Sequence, residues 1–191
     1  MAASSTMLEL GTPAPGFTLP DPAGTIHRLS DTDGAPATVV VFLCNHCPYV
    51  KHLGRELALV TQRMLARGVA VYGINPNDTE AYPDDSPEHM AEAARAYGFD
   101  FPYLFDESQQ VARAYRAACT PDFYVFDADR LLAYRGQFDQ SRPGNDKPVT
   151  GADLKAAVDA VIAGSAVPEP QVPSIGCSIK WRPENEPDWS T

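Results

Sequence analysis

The chain has 191 residues, of which 44% are hydrophobic, so it is long enough to bury the core of one domain of ordinary size. Fifteen basic against 25 acidic residues give a formal net charge of −10, which argues against a polyanionic partner such as nucleic acid. The first ten residues lack the basic and apolar regions of a signal peptide, and no apolar run approaches the roughly 18 residues of a membrane span, so we expect a cytoplasmic protein with no membrane partner.

The first predicted elements are two short strands that form a hairpin. Apolar residues flank the segment Asp21-Pro22-Ala23-Gly24 on both sides, and this segment has the composition of a tight turn. Residues 1 to about 10, which precede the hairpin, are expected to be a frayed lead-in.

A βαβ unit follows the hairpin. Residues 38–43 are rich in β-branched side chains, as a strand that is buried on both faces should be. Apolar residues then recur at alternating steps of three and four from Val50 to Met64, which predicts an amphipathic helix over about 48–66. A second apolar run at 69–74 returns as a strand, so the two strands are expected to pair in parallel.

Two cysteines three positions apart, Cys44 and Cys47, lie where the first of these strands meets the helix. A helix N-terminus favours an anion, so a Cys44 thiolate in this first turn should have a pKa below the free value of about 8.5. The pair could instead be buried hydrophobes, half of a zinc site or a structural disulfide. A zinc site is disfavoured because the remaining cysteines, Cys119 and Cys177, stand alone and far away in the sequence. A redox dithiol is favoured because Cys-x-x-Cys near a βαβ unit is the sequence pattern of a redox-active pair.

Three further segments predict helices. Ser86-Pro87-Glu88 provides a cap with proline at the first helical position, and Gly98 closes this helix. Asp106-Glu107-Ser108-Gln109 has the pattern of a capping box that starts a second helix. From Thr150 onward, periodic apolar residues mark a last helix, which stops at Gly164.

The last predicted elements are a strand pair and a tail. Residues 122–126 and 131–134 are joined by a tight connection and should pair antiparallel. Residues 165–191 contain five prolines and no periodicity, so we expect an extended tail that lies on the domain and forms no packed element. The expected organisation is one domain at 1–164 followed by this tail.

This order of elements resembles the thioredoxin fold, and within it the redoxin branch that includes the alkyl hydroperoxide reductase / thiol-specific antioxidant family and the bacterial thiol-disulfide oxidoreductases. The resemblance covers residues 9–163 and rests on Gly11, Ala14-Pro15, Phe17, Leu19, Asp21, Gly24, Leu29-Ser30-Asp31, Cys44, Cys47 and Thr120-Pro121. Residues 44–51 and 175–181 are also similar to a bacterial subgroup usually labelled probable thiol-disulfide isomerase/thioredoxin. The resemblance implies an α/β fold with a central mixed sheet flanked by helices, an N-terminal β-hairpin and an extended C-terminal tail.

The resemblance also implies roles for individual residues. Cys44, the more exposed sulfur in this family, would attack a substrate disulfide, and Cys47 would resolve the mixed disulfide. His46 would stabilise the Cys44 thiolate, or else be an exposed polar residue of the helix. Pro121, which is cis in the family, would expose the backbone of Thr120 to a substrate strand.

Three positions depart from the family pattern. Leu43 replaces the tryptophan that precedes the first cysteine of thioredoxins, and Thr38 stands where they bury an acid, so proton transfer must be arranged differently. In the peroxidase branch Cys47-Pro48 resembles the peroxidatic cysteine and its proline, but Cys44 replaces a threonine.

The positions of the two cysteines outside the pair suggest a role for each. Cys119 directly precedes the Thr120-Pro121 loop, so it is either close to the dithiol or a small core hydrophobe. Cys177 lies in the proline-rich tail. We therefore expect Cys119 to influence the site as a substrate-binding residue and Cys177 to be dispensable for turnover.

The sequence thus predicts a thiol-disulfide oxidoreductase that cycles a Cys44–Cys47 disulfide on protein or small thiol substrates, with an unidentified thiol electron donor and no bound cofactor or metal. Its redox potential should lie above the value of about −270 mV typical of thioredoxin, near −200 mV. One alternative is a thiol peroxidase that forms a sulfenic acid on either cysteine of the pair. The other is a Cu(I) or zinc carrier that uses both cysteines with His46 or His52.

Overall fold

The structure is a computed structural model that describes residues 2–189. Within this range the strands are β1 (Ala2–Ser4), β2 (Thr18–Pro20), β3 (Ile26–Arg28), β4 (Thr38–Phe42), β5 (Ala70–Asn75), β6 (Tyr103–Phe105), β7 (Cys119–Thr120), β8 (Asp122–Phe126), β9 (Leu132–Gly136) and β10 (Ile175–Ser178). The α-helices are α1 (Pro48–Leu65), α2 (Pro87–Tyr97), α3 (Gln110–Ala114) and α4 (Ala152–Ile162). None of the helices in residues 2–189 combines the length and the apolar character that a membrane span requires.

The centre of the fold is a five-stranded mixed sheet in the order β6-β5-β4-β8-β9. β4 pairs in parallel with β5 and antiparallel with β8, and β9 pairs antiparallel with β8. The predicted βαβ unit, the antiparallel strand pair and the β2-β3 hairpin are therefore confirmed. Helices flank the sheet as expected. The strand β6, which pairs in parallel with β5, was not predicted.

Every residue of β4 is buried, and alternate residues face two separate apolar clusters. Val39 and Val41 pack with side chains of α1, α2 and α4 on one face of the sheet. Val40 and Phe42 pack with the hairpin and with α3 on the other face. Burying each such side chain contributes about 1.5–3 kcal/mol. The β-branched composition of this strand follows from its being covered on both sides.

The two ends of the described chain form a second sheet, which contradicts two expectations. β10 pairs antiparallel with β7 along one edge and with β1 along the other. Residues 2–4 are therefore a strand and not a frayed lead-in. The tail contains a packed strand at 175–178. The prolines on either side of this segment argued against a strand in the sequence. A strand of four residues carries too few side chains for an alternating pattern to be recognised.

This second sheet is tied to the main sheet through Asp122, which is fully buried. The Ser5 hydroxyl donates to Asp122 Oδ1 at 2.5 Å, and the Tyr124 hydroxyl donates to Oδ2 at 3.0 Å. Burial raises the pKa of Asp122 to about 6 in spite of these hydrogen bonds. The folded protein therefore holds this proton more tightly than the unfolded chain does, where an aspartate pKa is about 3.9.

We expect the pH dependence of stability to reflect Asp122. Because its pKa is raised on folding, its stabilising contribution is complete below pH 4 and is lost as pH rises through the interval from about 4 to about 6, by up to roughly 3 kcal/mol. Urea unfolding of the wild type and of Asp122→Asn at pH 4, 5, 6 and 7 measures this loss as a change in the difference between the two proteins. Parallel stability curves for the two proteins would contradict the prediction.

Candidate active site

Cys47 is the residue immediately before α1, and Pro48 is the first residue of the helix. Proline is well suited to this position because the first N–H groups of a helix have no partner within it. Cys44 lies three residues earlier and outside the helix. The expectation that Cys44 is the cysteine nearest the helix N-terminus is therefore wrong, since Pro48 sets the helix start directly after Cys47.

Both sulfurs contact Thr120, the residue before a cis peptide bond to Pro121. The Cys44 Sγ lies 3.1 Å from Thr120 Oγ1, and the Cys47 thiol donates to the Thr120 carbonyl oxygen at 3.1 Å. The Thr120–Pro121 bond is cis, as the resemblance implied. Both cysteines are free thiols, and their exposed fractions are 1% for Cys44 and 0% for Cys47. Cys44 is thus no more accessible than its partner, contrary to expectation.

A third thiol, Cys177 on β10, belongs to the same site. Cys177 is paired in register with Thr120, and it packs against the apolar cluster that contains Cys44 and Cys47. Its N–H and its thiol both act to lower the pKa of Cys47. No pattern in the tail indicated that Cys177 lies near the dithiol, and it is the pairing of β10 with β7 that brings it there.

The surroundings of the two thiols lower the pKa of one and raise the pKa of the other. A hydrogen bond from Cys44 lowers the pKa of Cys47 to about 5, and hydrogen bonds from Cys177 and from the Val50 N–H act in the same direction against the effect of burial. The hydrogen bond to Cys47, burial and the carboxylate of Asp85 raise the pKa of Cys44 well above its ordinary value. The pKa of Cys47 is thus lowered and that of Cys44 raised, the reverse of the order that the sequence predicted.

Asp85 is the acidic residue of the site, and it is not among the site residues predicted from the sequence. It is fully buried at the end of a short 3-10 turn. Its Oδ1 accepts hydrogen bonds from the N–H groups of Asn45 at 2.7 Å and His46 at 3.2 Å. Its Oδ2 lies 2.6 Å from His46 Nδ1 and accepts a 2.7 Å hydrogen bond from the side-chain amide of Asn77. Asp85 therefore fixes the two residues between the cysteines.

The arrangement brings one sulfur, one imidazole and one carboxylate together. A donor atom from each of Cys44, His46 and Asp85 lies within 4.8 Å of the other two. Such a set has the donor atoms to hold a soft divalent or monovalent metal ion. The His46 ring also stacks on Tyr82, with ring centroids 5.7 Å apart, so the imidazole orientation is fixed from two sides.

Two of the sequence candidates lie outside this constellation. The Cys119 thiol is buried and donates to the Pro121 carbonyl oxygen at 3.7 Å. Because neighbouring side chains of a strand point to opposite faces, Cys119 is turned away from the sulfurs that Thr120 contacts. His52, considered as a metal ligand, is instead hydrogen-bonded through Nε2 to the Ser141 hydroxyl at 2.7 Å.

Comparison with known proteins gives consistent results. The model of the AhpC/TSA family matches residues 10–135. Two thiol-disulfide oxidoreductases named ResA, from Geobacillus kaustophilus and Geobacillus thermodenitrificans, are each 30% identical to 64% of this chain. The chain spans 66% of the length of each of these curated relatives.

Solved structures are similar over more of the chain. An uncharacterized conserved protein from Geobacillus kaustophilus has a TM-score of 0.93 at 53% identity, and covers 96% of this chain and 97% of its own. Protein SMc02350 from Sinorhizobium meliloti 1021 has a TM-score of 0.93 at 49% identity, with 94% and 98% covered. A thiol:disulfide interchange protein of the thioredoxin family from Chlorobium tepidum has a TM-score of 0.62 at 19% identity, with 81% and 98% covered, and so shares the fold.

Proposed function

The chain belongs to the AhpC/TSA family and is related to its thiol-disulfide oxidoreductases, and on this premise we propose that it exchanges disulfides with protein or small thiol substrates through Cys44 and Cys47. The observation that carries the proposal is that both sulfurs contact Thr120, each at a distance of 3.1 Å. Cys47 also lies directly before α1. Two thiols held on one residue can close to a disulfide without a change in the main sheet.

The different acidities of the two thiols suggest an order of events. Cys47, whose pKa is lowered, loses the proton that it donates to the Thr120 carbonyl oxygen and attacks a substrate disulfide, forming a mixed disulfide as the first substrate thiolate leaves. Cys44 then loses its proton and attacks the sulfur of Cys47, and the second substrate thiolate leaves. Two electrons pass from the dithiol to the substrate, and the protein keeps a Cys44–Cys47 disulfide.

Asp85 takes the part of the buried acid that thioredoxins carry on the preceding strand. Its carboxylate is one of three donor groups within 4.8 Å of one another, together with the Cys44 sulfur and the His46 ring. Proton transfer from the Cys44 thiol towards this carboxylate gives the resolving thiolate. Thr38, which stands at the position of the thioredoxin acid, is buried in β4 and has no acidic group to offer.

We expect the redox potential of the Cys44–Cys47 couple to lie near −200 mV, above the value of about −270 mV for thioredoxin. A stabilised Cys47 thiolate favours the reduced form, which raises the potential. His46→Ser should lower it, because the Asp85 carboxylate would then act on the sulfurs without its imidazole partner. Equilibration with glutathione buffers, followed by alkylation of free thiols, gives both values. A wild-type potential at or below −270 mV would refute the prediction.

A thiol peroxidase is the second candidate function. It is favoured by one observation, which is that Cys47 with its lowered pKa lies at the start of α1 and is followed by Pro48. Peroxide would oxidise Cys47 to a sulfenic acid and leave as alcohol or water. The Cys44 thiol would then condense with the sulfenic acid to a disulfide, releasing water.

Metal binding is a weaker candidate, although Cys44, His46 and Asp85 offer three suitable ligand atoms. Both carboxylate oxygens of Asp85 already accept hydrogen bonds, and the 2.6 Å contact with His46 Nδ1 is one of them. A metal ion would have to replace these contacts.

One preparation of the full chain distinguishes the three candidates. We propose to measure dithiothreitol-dependent reduction of insulin, dithiothreitol-dependent consumption of hydrogen peroxide, and copper and zinc content after purification. Faster insulin reduction by the wild type than by the Cys44→Ser/Cys47→Ser variant supports the oxidoreductase. Equal rates would contradict it, and peroxide consumption or stoichiometric metal would favour the corresponding alternative.

We also propose that the protein is cytoplasmic, which cell fractionation would test.

A further inference from the structure

β10 occupies the edge of β7 that the family resemblance assigned to a substrate strand. Cys177 pairs with Thr120, and Ser178 pairs with Cys119. The other edge of β10 is covered by β1, so the tail strand is held between two neighbours. The backbone approach is close, because a Cβ on Gly176 would lie 2.0 Å from the Thr120 carbonyl oxygen. The tail is therefore fitted to the dithiol region and is not loosely laid over it.

The strand register places the Cys177 thiol near Cys47, in addition to the Cys44 thiol. The Cys47 thiol donates to the carbonyl oxygen of Thr120, whose partner across the strand pair is Cys177. Cys177 also packs against the apolar cluster that contains Cys47. Cys44 lies three residues before Cys47 in the segment that leads into α1. Cys47 thus has two cysteines with which it can form a disulfide.

The three thiols differ in their access to solvent. Cys44 is 1% exposed and Cys47 is 0% exposed, whereas Cys177 is partly exposed. Disulfide exchange requires that the incoming thiolate reach a sulfur atom directly, so buried sulfurs react slowly with external thiols. Cys177 is the member of this group that an external thiol can approach.

We propose that Cys177 connects the buried pair to external thiols by forming a disulfide with Cys47 in alternation with Cys44. This inference rests on the proposed function, because it requires a redox-active Cys47. The tail strand is then a part of the active site that the chain itself supplies, at the edge where a substrate strand was expected.

The exchange balances in three steps. In the oxidised protein, the Cys177 thiolate attacks the sulfur of Cys47, the Cys44–Cys47 bond breaks, and Cys44 takes up the proton that Cys177 lost. An external thiolate then attacks the sulfur of Cys177 and releases the Cys47 thiolate. A second external thiolate attacks the external sulfur of this mixed disulfide and releases Cys177. Two external thiols become a disulfide, and all three cysteines of the protein end reduced.

The acidities of the thiols favour the second step of this exchange. A thiol of low pKa leaves a disulfide more readily, and Cys47, with a pKa of about 5, is the group that leaves when the external thiolate attacks Cys177. Burial and the neighbouring Cys47 raise the pKa of Cys177 to about 12 in the reduced protein. Cys47 carries no charge while it is in a disulfide, so its contribution to this high pKa is absent when Cys177 attacks.

The tryptic peptides of the chain make the disulfide directly observable. Cleavage after lysine and arginine puts Cys44 and Cys47 in residues 29–51, Cys119 in residues 117–130 and Cys177 in residues 156–180. Full-length Cys44→Ser is oxidised with glutathione disulfide and mapped without reduction by mass spectrometry. The expected product is peptide 29–51 linked to peptide 156–180. Cys44→Ser/Cys177→Ser is the matched control and should give no cross-link between these two peptides.

Two results separate this inference from the function on which it rests. If the wild type forms the Cys44–Cys47 disulfide but Cys44→Ser gives no cross-link to Cys177, the inference is overturned and the proposed function stands. If the wild type forms no disulfide at all, the proposed function fails. Reduction of the oxidised wild type by glutathione should also be at least about tenfold faster than that of Cys177→Ser, and equal rates would likewise overturn the inference.

Discussion

Cys47→Ser is expected to lower the rate of disulfide reduction by about a thousandfold or more, because it removes the thiolate that makes the first attack. Cys44→Ser should instead keep the first attack, and its mixed disulfide should be resolved by Cys177 in place of Cys44. In the reduced wild type, alkylation of Cys47 by iodoacetamide should precede that of Cys44, with a pH midpoint near 5. Insulin reduction and peptide mapping after timed alkylation measure these effects.

The control for this series is Cys119→Ser. Cys119 is buried like the reactive pair, but its thiol contacts the Pro121 carbonyl oxygen and not the other sulfurs. This variant should therefore keep a rate within about twofold of the wild type. Alkylation of Cys44 before Cys47, together with an active Cys47→Ser variant, would show that the attacking residue has been misassigned.

Asp85→Ala is expected to destabilise the protein by at least about 3 kcal/mol, because it leaves several buried donors without an acceptor. These donors are the backbone N–H groups of Asn45 and His46 and the amide of Asn77. The loop between the cysteines loses its anchor at the same time, so insulin reduction should fall even at temperatures where the variant remains folded. Urea unfolding and the insulin assay on the same preparation separate the two effects.

Asp84→Ala is the matched control, because Asp84 is the exposed neighbour of Asp85 in the same short turn. It contributes a backbone carbonyl to the Asn45 side chain, and alanine keeps that contact. Its unfolding free energy should stay within about 0.5 kcal/mol of the wild type. If the two variants unfold alike, the hydrogen bonds of Asp85 have no net stabilising effect.

Elements with long and regular patterns were predictable from the sequence. β4 and α1 each carry a periodic apolar pattern that matches one kind of secondary structure, and both were predicted to within a residue or so. The reactive pair between them followed from local sequence as well. The local sequence did not show which of the two cysteines has the lower pKa, because this depends on which of them lies directly before the first residue of the helix.

The features that were missed depend on contacts between distant parts of the chain. Asp85 meets Asn45 across 40 residues, and nothing in its own turn distinguishes a buried carboxylate from a solvated one. β6 and β10 are too short to show a pattern, and each is a strand only because a partner supplies its hydrogen bonds. The location of Cys177 therefore could not be read from the tail alone.

The pairing of β1 with β10 and of β10 with β7 joins an early, a late and a middle segment of the chain in one small sheet. A ribosome produces β10 after all the other elements described here, so the main sheet can form while the Thr120 edge is still open. During that interval β10 does not yet cover the Thr120 edge beside the dithiol. Contacts of such high sequence separation also carry a large loop-closure cost in refolding. Cys177 therefore joins the other two thiols only when β10 has docked.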